Sequence, residues 1–592
     1  LATPHAHRIS PHRLFDARLY LRENPDVEDA GIPPLIHYLK SGEREGRRPN
    51  VSFDISGYLA QYDVDTRSGY GALTDFAFRS SERGLNKAKH DRRDAAQARL
   101  REFLASGSGL ELAWDGAPKI TVAIAVWNKA HFTLECLESL KRSTVPLQVV
   151  VVDNASTDET ESVLDRVDGI TVLRNSENLG FLEATNQVIL EAKTPYVLLL
   201  NNDATIRPGT IEQALLTIQE DGVGAVGAKI ILPNGLLQEA GSFLWRGGSA
   251  QGYLRGEPWK IGASMHRREV DFGSGAFLLM RTEPVQALGG LDPVYKPAYY
   301  EEVDLCLRMR RAGWKTIYDP QVIIDHVEFA SSSSPEAAFK LQEERRAIIV
   351  ERFENELEER PMPAVELQDV LANWGSRERR GILLVDDSMP DPRQGSGMPR
   401  ALDVVKALAS DEDNLVLVAP LRDSAAHELP IGLGLPGNVE RYPETNVHSL
   451  VWLIRRHRPR ISVLWVSRMH NLKLILAMRR AEPELFKGLS VVYDSEAIGP
   501  FRERAHANVS GSPMADHEFE RLLRREMDYA SRADLVIAVN AEEAQAFREG
   551  GCAEVVEIGH AVERAAAGAP LSEREGVLFV GRLSESNAPN AD

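Results

Sequence analysis

From Ile120 onward the chain alternates short apolar runs with polar, helix-like stretches. The runs are Ile120 to Val126, Leu147 to Val152, Ile170 to Leu173 and Tyr196 to Leu200, and a further strand is expected to end at Asp325-His326. Strands separated by helices at this spacing predict an α/β sheet with a largely parallel centre, whose ligands gather beyond the carboxyl ends of the strands. A long charged helix over about 335–359 closes this region. The same texture resumes at Ile382 to Asp386 and continues through Leu415 to Ala419, Ile461 to Val466, Leu489 to Tyr493, Leu535 to Val539 and Leu578 to Val580. That is a second doubly wound unit.

The first ninety residues have a different texture. Phe15-Asp16 recurs as Phe53-Asp54, Tyr20-Leu21 as Tyr58-Leu59, Leu35 as Leu73 and Tyr38 as Phe76, each 38 positions on. Aromatic and aliphatic positions repeating in this way predict paired short helices, most simply a packed helical spacer. Ser106-Gly107-Ser108-Gly109 then punctuates the chain. The expected divisions are an accessory helical region at 1–105, an α/β domain at 118–350, a helical linker at 351–380 and the second α/β unit at 381–592.

Length and charge narrow the classes of function. A chain of 592 residues is too long for one core, and a hydrophobic fraction of 43% lets each unit build its own. The formal charge of -18 repels a phosphate backbone, so nucleic acid is not the expected partner. Cys136, Cys306 and Cys552 are too few and too far apart for a disulfide framework or a zinc site, which fits a reducing compartment. The longest apolar runs fall well short of the roughly 20 residues that span a bilayer. The expected location is the cytoplasm, with peripheral association at the inner face of the membrane, and the chain reads as a trimmed piece of a longer one.

Four predicted strand ends carry polar residues suited to a sugar nucleotide. Trp127-Asn128 offers an aromatic face and a turn-fixing amide, although a Trp packed on the sheet edge reads equally well. Asp153-Asn154 presents a carboxylate that accepts from a base imide, whereas Asp158 is expected to cap the next helix. Asn178-Leu179-Gly180-Phe181 opens a helix containing Asn186, where glycine admits close backbone approach and the helix N-terminus attracts a diphosphate. Asn201-Asn202-Asp203 supplies oxygen ligands for a hard divalent ion, with an Asx turn as the plainer reading. Downstream, Glu301-Glu302-Val303-Asp304 puts three acids in four residues. Such crowding raises at least one carboxyl pKa if buried, and a poised carboxylate takes a hydroxyl proton; a solvated helix start is the alternative.

Taken in order, these motifs, with Gly273-Ser274-Gly275-Ala276, Arg308, Arg311-Ala312-Gly313 and His326, resemble the family-2 glycosyltransferases of the GT-A fold, in particular their rhamnosyltransferase-like bacterial branch. The resemblance implies an inverting transfer that uses Mg²⁺ or Mn²⁺. Its donor is a dTDP- or UDP-linked sugar, rhamnose or another hexose, and its acceptor a surface polysaccharide or lipid-linked glycan. It places Glu302, with Glu301, as the base and Asp203 and His326 at the metal. Trp127, Asn128, Asp153, Asn154, Asn178, Gly180, Asn186 and Asn202 fall on the donor, and Gly275, Ala276 and Asp304 on the acceptor side. Two departures stand out: Asn201-Asn202-Asp203 replaces Asp-x-Asp, and Glu301-Glu302 replaces Glu-Asp. The first removes one charge and leaves a noncatalytic sugar-binding or scaffold protein as the rival reading.

The N-terminal segment, through Asn24-Pro25-Asp26-Val27, His37-Tyr38-Leu39 and Gly46-Arg47, resembles helical repeats attached to bacterial glycosyltransferases. In the second unit, Gly395-Ser396-Gly397, Arg400, Tyr493-Asp494-Ser495-Glu496, Phe501 to Ala505 and Phe579-Val580-Gly581-Arg582 resemble a family-4-type GT-B enzyme. That likeness implies a Rossmann-like acceptor-side half, cut near Asn590-Ala591-Asp592 and inactive alone.

Overall fold

A computed structural model of the chain describes residues 14–47, 49–50, 53, 55–64, 71–328, 335–358, 360, 362, 380–391, 397–411, 413–421, 435, 438–442, 445, 447–458 and 460–560. It divides into two compact units, the first ending at Asn373 and the second beginning at Trp374.

The first unit is built on one mixed sheet. Its strands are β1 (Ile120–Val126), β2 (Leu147–Asp153), β3 (Ile170–Arg174), β4 (Tyr196–Leu200), β5 (Ala204–Ile206), β6 (Val223–Ile231), β7 (Leu237–Ala240), β8 (Arg268–Val270), β9 (Phe277–Arg281) and β10 (Lys315–His326). Their order is β8-β10-β6-β9-β4-β1-β2-β3, with β5 on β10 and β7 on β6. The half built from β4, β1, β2 and β3 is parallel, as the apolar runs predict. The other half departs from a parallel sheet, because β9 lies antiparallel between β4 and β6 and β7 and β8 add antiparallel edges.

Strand alternation divides the core between the two faces of the sheet. Ile120, Val122, Ile124 and Val126 point to a cluster with Leu134, Leu137 and Leu140 of helix Ala130–Leu140 and Ile211, Leu215 and Ile218 of helix Thr210–Ile218. Ala123, Val150, Val152, Val197 and Leu199 face helices Gly180–Ile189 and Glu301–Arg311. Ile349, Phe353 and Leu357 join that second cluster, so the first part of the expected linker is core; 361 and 363–379 lie outside the described residues.

The N-terminal helices bury aromatic rings in two matched groups. Phe15, Tyr20 and Tyr38 have ring centroids 5.3, 5.6 and 5.8 Å apart, and Phe53, Tyr58 and Phe76, each 38 positions later, lie at 5.2, 5.2 and 5.8 Å. The hydroxyls of Tyr20 and Tyr58 pair with His37 and Asp75, again 38 apart. The boundary expected at 105 is not a break in packing. Tyr62 donates to the Gly235 carbonyl, and Asn234 donates to that of Arg79. Helix Glu82–Ser106 then lies along helix Ala130–Leu140 through the pairs Arg92–Glu135 (2.9 Å) and Arg99–Glu138 (2.6 Å). Ala96 is buried with Phe132 and Val327 between them.

Among the described residues, the second unit holds a seven-stranded, wholly parallel sheet. In chain order its strands are Arg380–Asp386, Asn414–Pro420, Val439–Arg441, Ile461–Ser467, Ser490–Asp494, Leu535–Ala538 and Val555–Glu557, arranged third, second, first, fourth, fifth, sixth, seventh. Such an order reverses direction beside the first strand and is the mark of a doubly wound fold. The three-residue strands at Val439 and Val555 are too short to stand out as apolar runs. At the carboxyl ends Arg400 holds Asp494 through two bonds of 3.0 and 2.9 Å, both side chains buried. The expected strand at Leu578 to Val580, the Gly395-Ser396 pair, Phe579 to Arg582 and Asn590 to Asp592 lie outside the described residues.

Candidate active site

The strand ends of the parallel half form a polar floor. Asp153 is buried and accepts from the Ser156 backbone N–H at 3.0 Å. Asn154 donates to the Gly180 carbonyl and accepts from Asn175, tying the end of β2 to the glycine that opens helix Gly180–Ile189. Asn128 and Lys129 both adopt left-handed backbone, and the Asn128 side chain accepts from Thr157 N–H at 2.7 Å. Asp158 caps two helices at once, accepting from Ala130 N–H and Thr160 N–H. Trp127 keeps 45% of its surface exposed beside this floor. Asn178 accepts from Gly180 N–H at 2.9 Å in an Asx turn. Asn186 points elsewhere: its amide donates to the Leu291 carbonyl (2.7 Å) and accepts from Leu291 N–H (2.9 Å). The expected donor role gives way there to a clamp between two segments.

The end of β4 meets the end of β10. His326 Nε2 lies 3.1 Å from Asp203 Oδ1, with 7% and 8% of the two side chains exposed. On the other side of the ring, Nδ1 is 2.8 Å from Gln238 Oε1 on β7, and the Asn201 amide stands 3.4 Å from Nε2. The contact holds the Asp203 carboxyl below, and the imidazole above, its ordinary pKa. Asn202 is turned away from this point, donating to Thr133 Oγ1 of helix Ala130–Leu140 at 3.1 Å. Its amide is therefore spent on holding the loop and does not face a donor. Two residues past His326, Glu328 is buried in left-handed backbone, paired with Arg255 at 2.7 Å while its carbonyl accepts from Lys89 of helix Glu82–Ser106 at 2.9 Å.

The acids of helix Glu301–Arg311 separate by environment. Tyr299 and Tyr300 enter the helix in left-handed backbone, which turns Glu301 and Glu302 inward at its N-terminus. Each has a buried Oε2 without a hydrogen-bond partner. Burial, together with the charge of Glu302, raises the Glu301 pKa well above the usual carboxylate range; burial alone raises that of Glu302. Glu239, next to Gln238 on β7, is also buried. Burial and the Glu302 charge push it up to about 7, against the easing effect of the Ser274 backbone. Gly275 lies against the Phe181 ring, where an added methyl would come within 3.5 Å, and buried Ala276 accepts from Asn201 N–H. Asp304 does not face the acceptor side: it is wholly buried behind the helix between Arg308 (2.5 Å), Arg352 (3.0 Å) and the Tyr295 hydroxyl.

Contacts run from Asp203 through His326 to Gln238, and the neighbouring Glu239 feels the charge of Glu302 and acts on His326. Gln238 and Glu239 did not figure in the motif reading. A divalent ion fits the Asp203–His326 end: one carboxylate oxygen and one imidazole nitrogen, both buried, stand the width of a coordination edge apart. Mg²⁺ and Mn²⁺ commonly take only one or two protein ligands and complete their shells with water and substrate phosphate. Among the described residues no cluster of three acidic, histidine or cysteine side chains is arranged to enclose a metal.

A family match falls on the first unit. A profile described as "Glycosyltransferase like family 2" matches residues 118–347. The chain is 31% identical over 215 residues to the N-acetylglucosaminyl-diphospho-decaprenol L-rhamnosyltransferase of Mycobacterium tuberculosis (strain CDC 1551 / Oshkosh), covering 32% of this chain and 70% of that one. It is 26% identical over 335 residues to the uncharacterized protein y4gI of Sinorhizobium fredii (strain NBRC 101917 / NGR234), covering 52% of this chain and 37% of y4gI. The chain thus spans little more than a third of that relative's length. Among solved structures it aligns with the mannosyltransferase PcManGT of Pyrobaculum calidifontis, in complex with GDP-Man and Mn²⁺, at 19% identity and a TM-score of 0.30, over 49% of this chain and 77% of that one. The chain belongs to the glycosyltransferase-like family 2.

Proposed function

We propose that the first unit transfers a sugar, with inversion, from a nucleoside-diphosphate donor to a glycan or lipid-linked glycan. The observation that carries this reading is the buried Asp203–His326 contact at the ends of β4 and β10, with Glu239 of β7 within electrostatic reach of both His326 and Glu302. It supports a diphosphate site and a base within electrostatic reach of one another. Glu302, half-buried and with a buried, unpaired oxygen, takes the proton of an acceptor hydroxyl, and its raised pKa makes it the stronger base. The acceptor oxygen then bonds to the anomeric carbon as the bond from that carbon to the diphosphate breaks. Asp203 and His326 would hold Mg²⁺ or Mn²⁺, which supplies neutralisation of the departing diphosphate. The floor around Asp153, Asn154 and Trp127 is the proposed seat of the nucleoside, dTDP or UDP.

The relative's printed name favours rhamnose as the sugar and a lipid-linked diphosphate glycan as the acceptor. We read the second unit as the acceptor-side half of a GT-B module, supported by its parallel strand order, and the two matched ring groups as copies of one helical repeat. No helix among the described residues is long and apolar enough to cross a membrane. A cytoplasmic enzyme bound peripherally to polysaccharide machinery is the accompanying reading. The scaffold alternative keeps one observation in its favour, the absence of a second acid beside Asp203.

A screen of nucleotide sugars by thermal shift, with and without Mn²⁺, identifies the donor, since a ligand of the native state raises the melting temperature. With that donor, Asp203→Ala and Glu302→Gln are each expected to lower turnover by about 10²-fold or more. Turnover that survives both substitutions would sink the mechanism, and a flat response to every donor would leave the scaffold reading in its place.

A further inference from the structure

Glu328 sets one buried carboxylate between two cations. Arg255 Nη2 lies 2.7 Å from its Oε2, and Lys89 Nζ stands 4.0 Å from the same oxygen while donating to the Glu328 carbonyl at 2.9 Å. The trio therefore carries one surplus positive charge. That charge stands beside the proposed reaction site, because Lys89 acts electrostatically on Asp203 and Arg255 on Glu239. Of the two cations Arg255 is the open one, with 45% of its side chain exposed against 22% for Lys89. Its other guanidinium N–H groups have no hydrogen-bond partner among the described residues.

The backbone holds Arg255 firmly at this point. Residues 253–257 arch against β7, with Tyr253 N–H on the Gly241 carbonyl (2.9 Å), Gly256 N–H on that of Leu237 (2.8 Å) and Leu237 N–H on that of Glu257 (2.8 Å). Leu254 and Gly256, on either side of Arg255, are both left-handed, with φ of 58° and 79°. For leucine that backbone is costly and persists only where its surroundings impose it. A guanidinium presents five donors in a planar fork that matches phosphate oxygens, so one bound to a carboxylate through a single nitrogen keeps the rest for a second anion. We infer that Arg255 binds a diphosphate of the substrate, with Glu328 orienting its fork and Lys89, from helix Glu82–Ser106, holding Glu328 from the other side. The inference rests on the transfer reading above and adds a cation that the motifs did not name. It also gives the accessory helix a part in substrate binding. A nucleoside-diphosphate donor and a lipid-diphosphate acceptor offer the same chemistry, and the test separates them.

The test is calorimetric titration of the full chain, in Mg²⁺, with UDP, dTDP, uridine, inorganic pyrophosphate and farnesyl diphosphate. Arg255→Gln should bind at least one of the diphosphates that the wild type binds about 10- to 100-fold more weakly, the range for lost hydrogen bonds to a charged group, and should bind uridine as the wild type does. Arg255→Lys, which keeps the charge and loses the fork, should recover part of the loss. A loss on UDP or dTDP but not on farnesyl diphosphate assigns Arg255 to the donor, and the reverse pattern assigns it to the acceptor. If Arg255→Gln does not fold, Arg255→Met takes its place. A variant that melts at a lower temperature yet binds every diphosphate as tightly as the wild type makes Arg255 a structural partner of Glu328 and overturns the inference. A wild-type chain that binds no diphosphate overturns it as well. Diphosphate binding that depends on Arg255 in a chain without transferase turnover would uphold the inference and sink the transfer reading instead.

Discussion

Glu239 holds a proton at a pH where most glutamates have lost theirs. Burial and Glu302 raise its pKa from 4.5 to about 7, so the folded state prefers the protonated form more strongly than the unfolded chain does. That preference stabilises the fold fully below about pH 4.5 and is lost as pH climbs through about 7. Glu239→Gln imitates the protonated acid and is expected to flatten the dependence. Between about pH 5 and 8 the wild-type melting temperature should fall relative to the variant, which differential scanning calorimetry can follow. Parallel curves would place the carboxyl in a wetter environment than its burial indicates. Asn186 offers a second measurement at this scale. Asn186→Ala removes both bonds to Leu291 and should cost about 2 kcal/mol in urea unfolding, with donor affinity unchanged.

At the level of elements, helix Glu301–Arg311 shows what the sequence could and could not convey. The run Glu301-Glu302-Val303-Asp304 announces an acidic helix start. Its direction into the core depends on the left-handed Tyr299 and Tyr300, which no propensity favours. Asp304 belongs with Arg308 one turn on, and that i, i+4 pairing was the available sign that it serves stability. The parallel strands were legible because strands covered on both faces are continuous apolar runs. β7 was not, since Leu237, Gln238, Glu239 and Ala240 are all buried and show no alternation. Its partners also stand far along the chain, His326 being 88 residues from Gln238. Asp304→Ala leaves Arg308 and Arg352 without their shared anion and should destabilise the first unit by about 3–5 kcal/mol. Loss of activity at a temperature where the variant remains folded would return Asp304 to the acceptor side.

Across the whole molecule, two compact units with separate cores should not share a single unfolding transition. Calorimetry is expected to resolve two. Asp494→Ala strands Arg400 in the interior of the second unit and should lower one transition, while Asp304→Ala lowers the other. A common shift in both transitions would mean that the units unfold together.

The grip of Lys89 on Glu328 bears on how this protein can be dissected. A fragment started at residue 107, where sequence punctuation invites a cut, would lose the lysine that steadies the turn beyond His326 and lay bare the greasy seat of Ala96 on Phe132. Excised versions of the first unit therefore need to begin upstream of Ser81, whose side chain caps the helix that delivers Lys89.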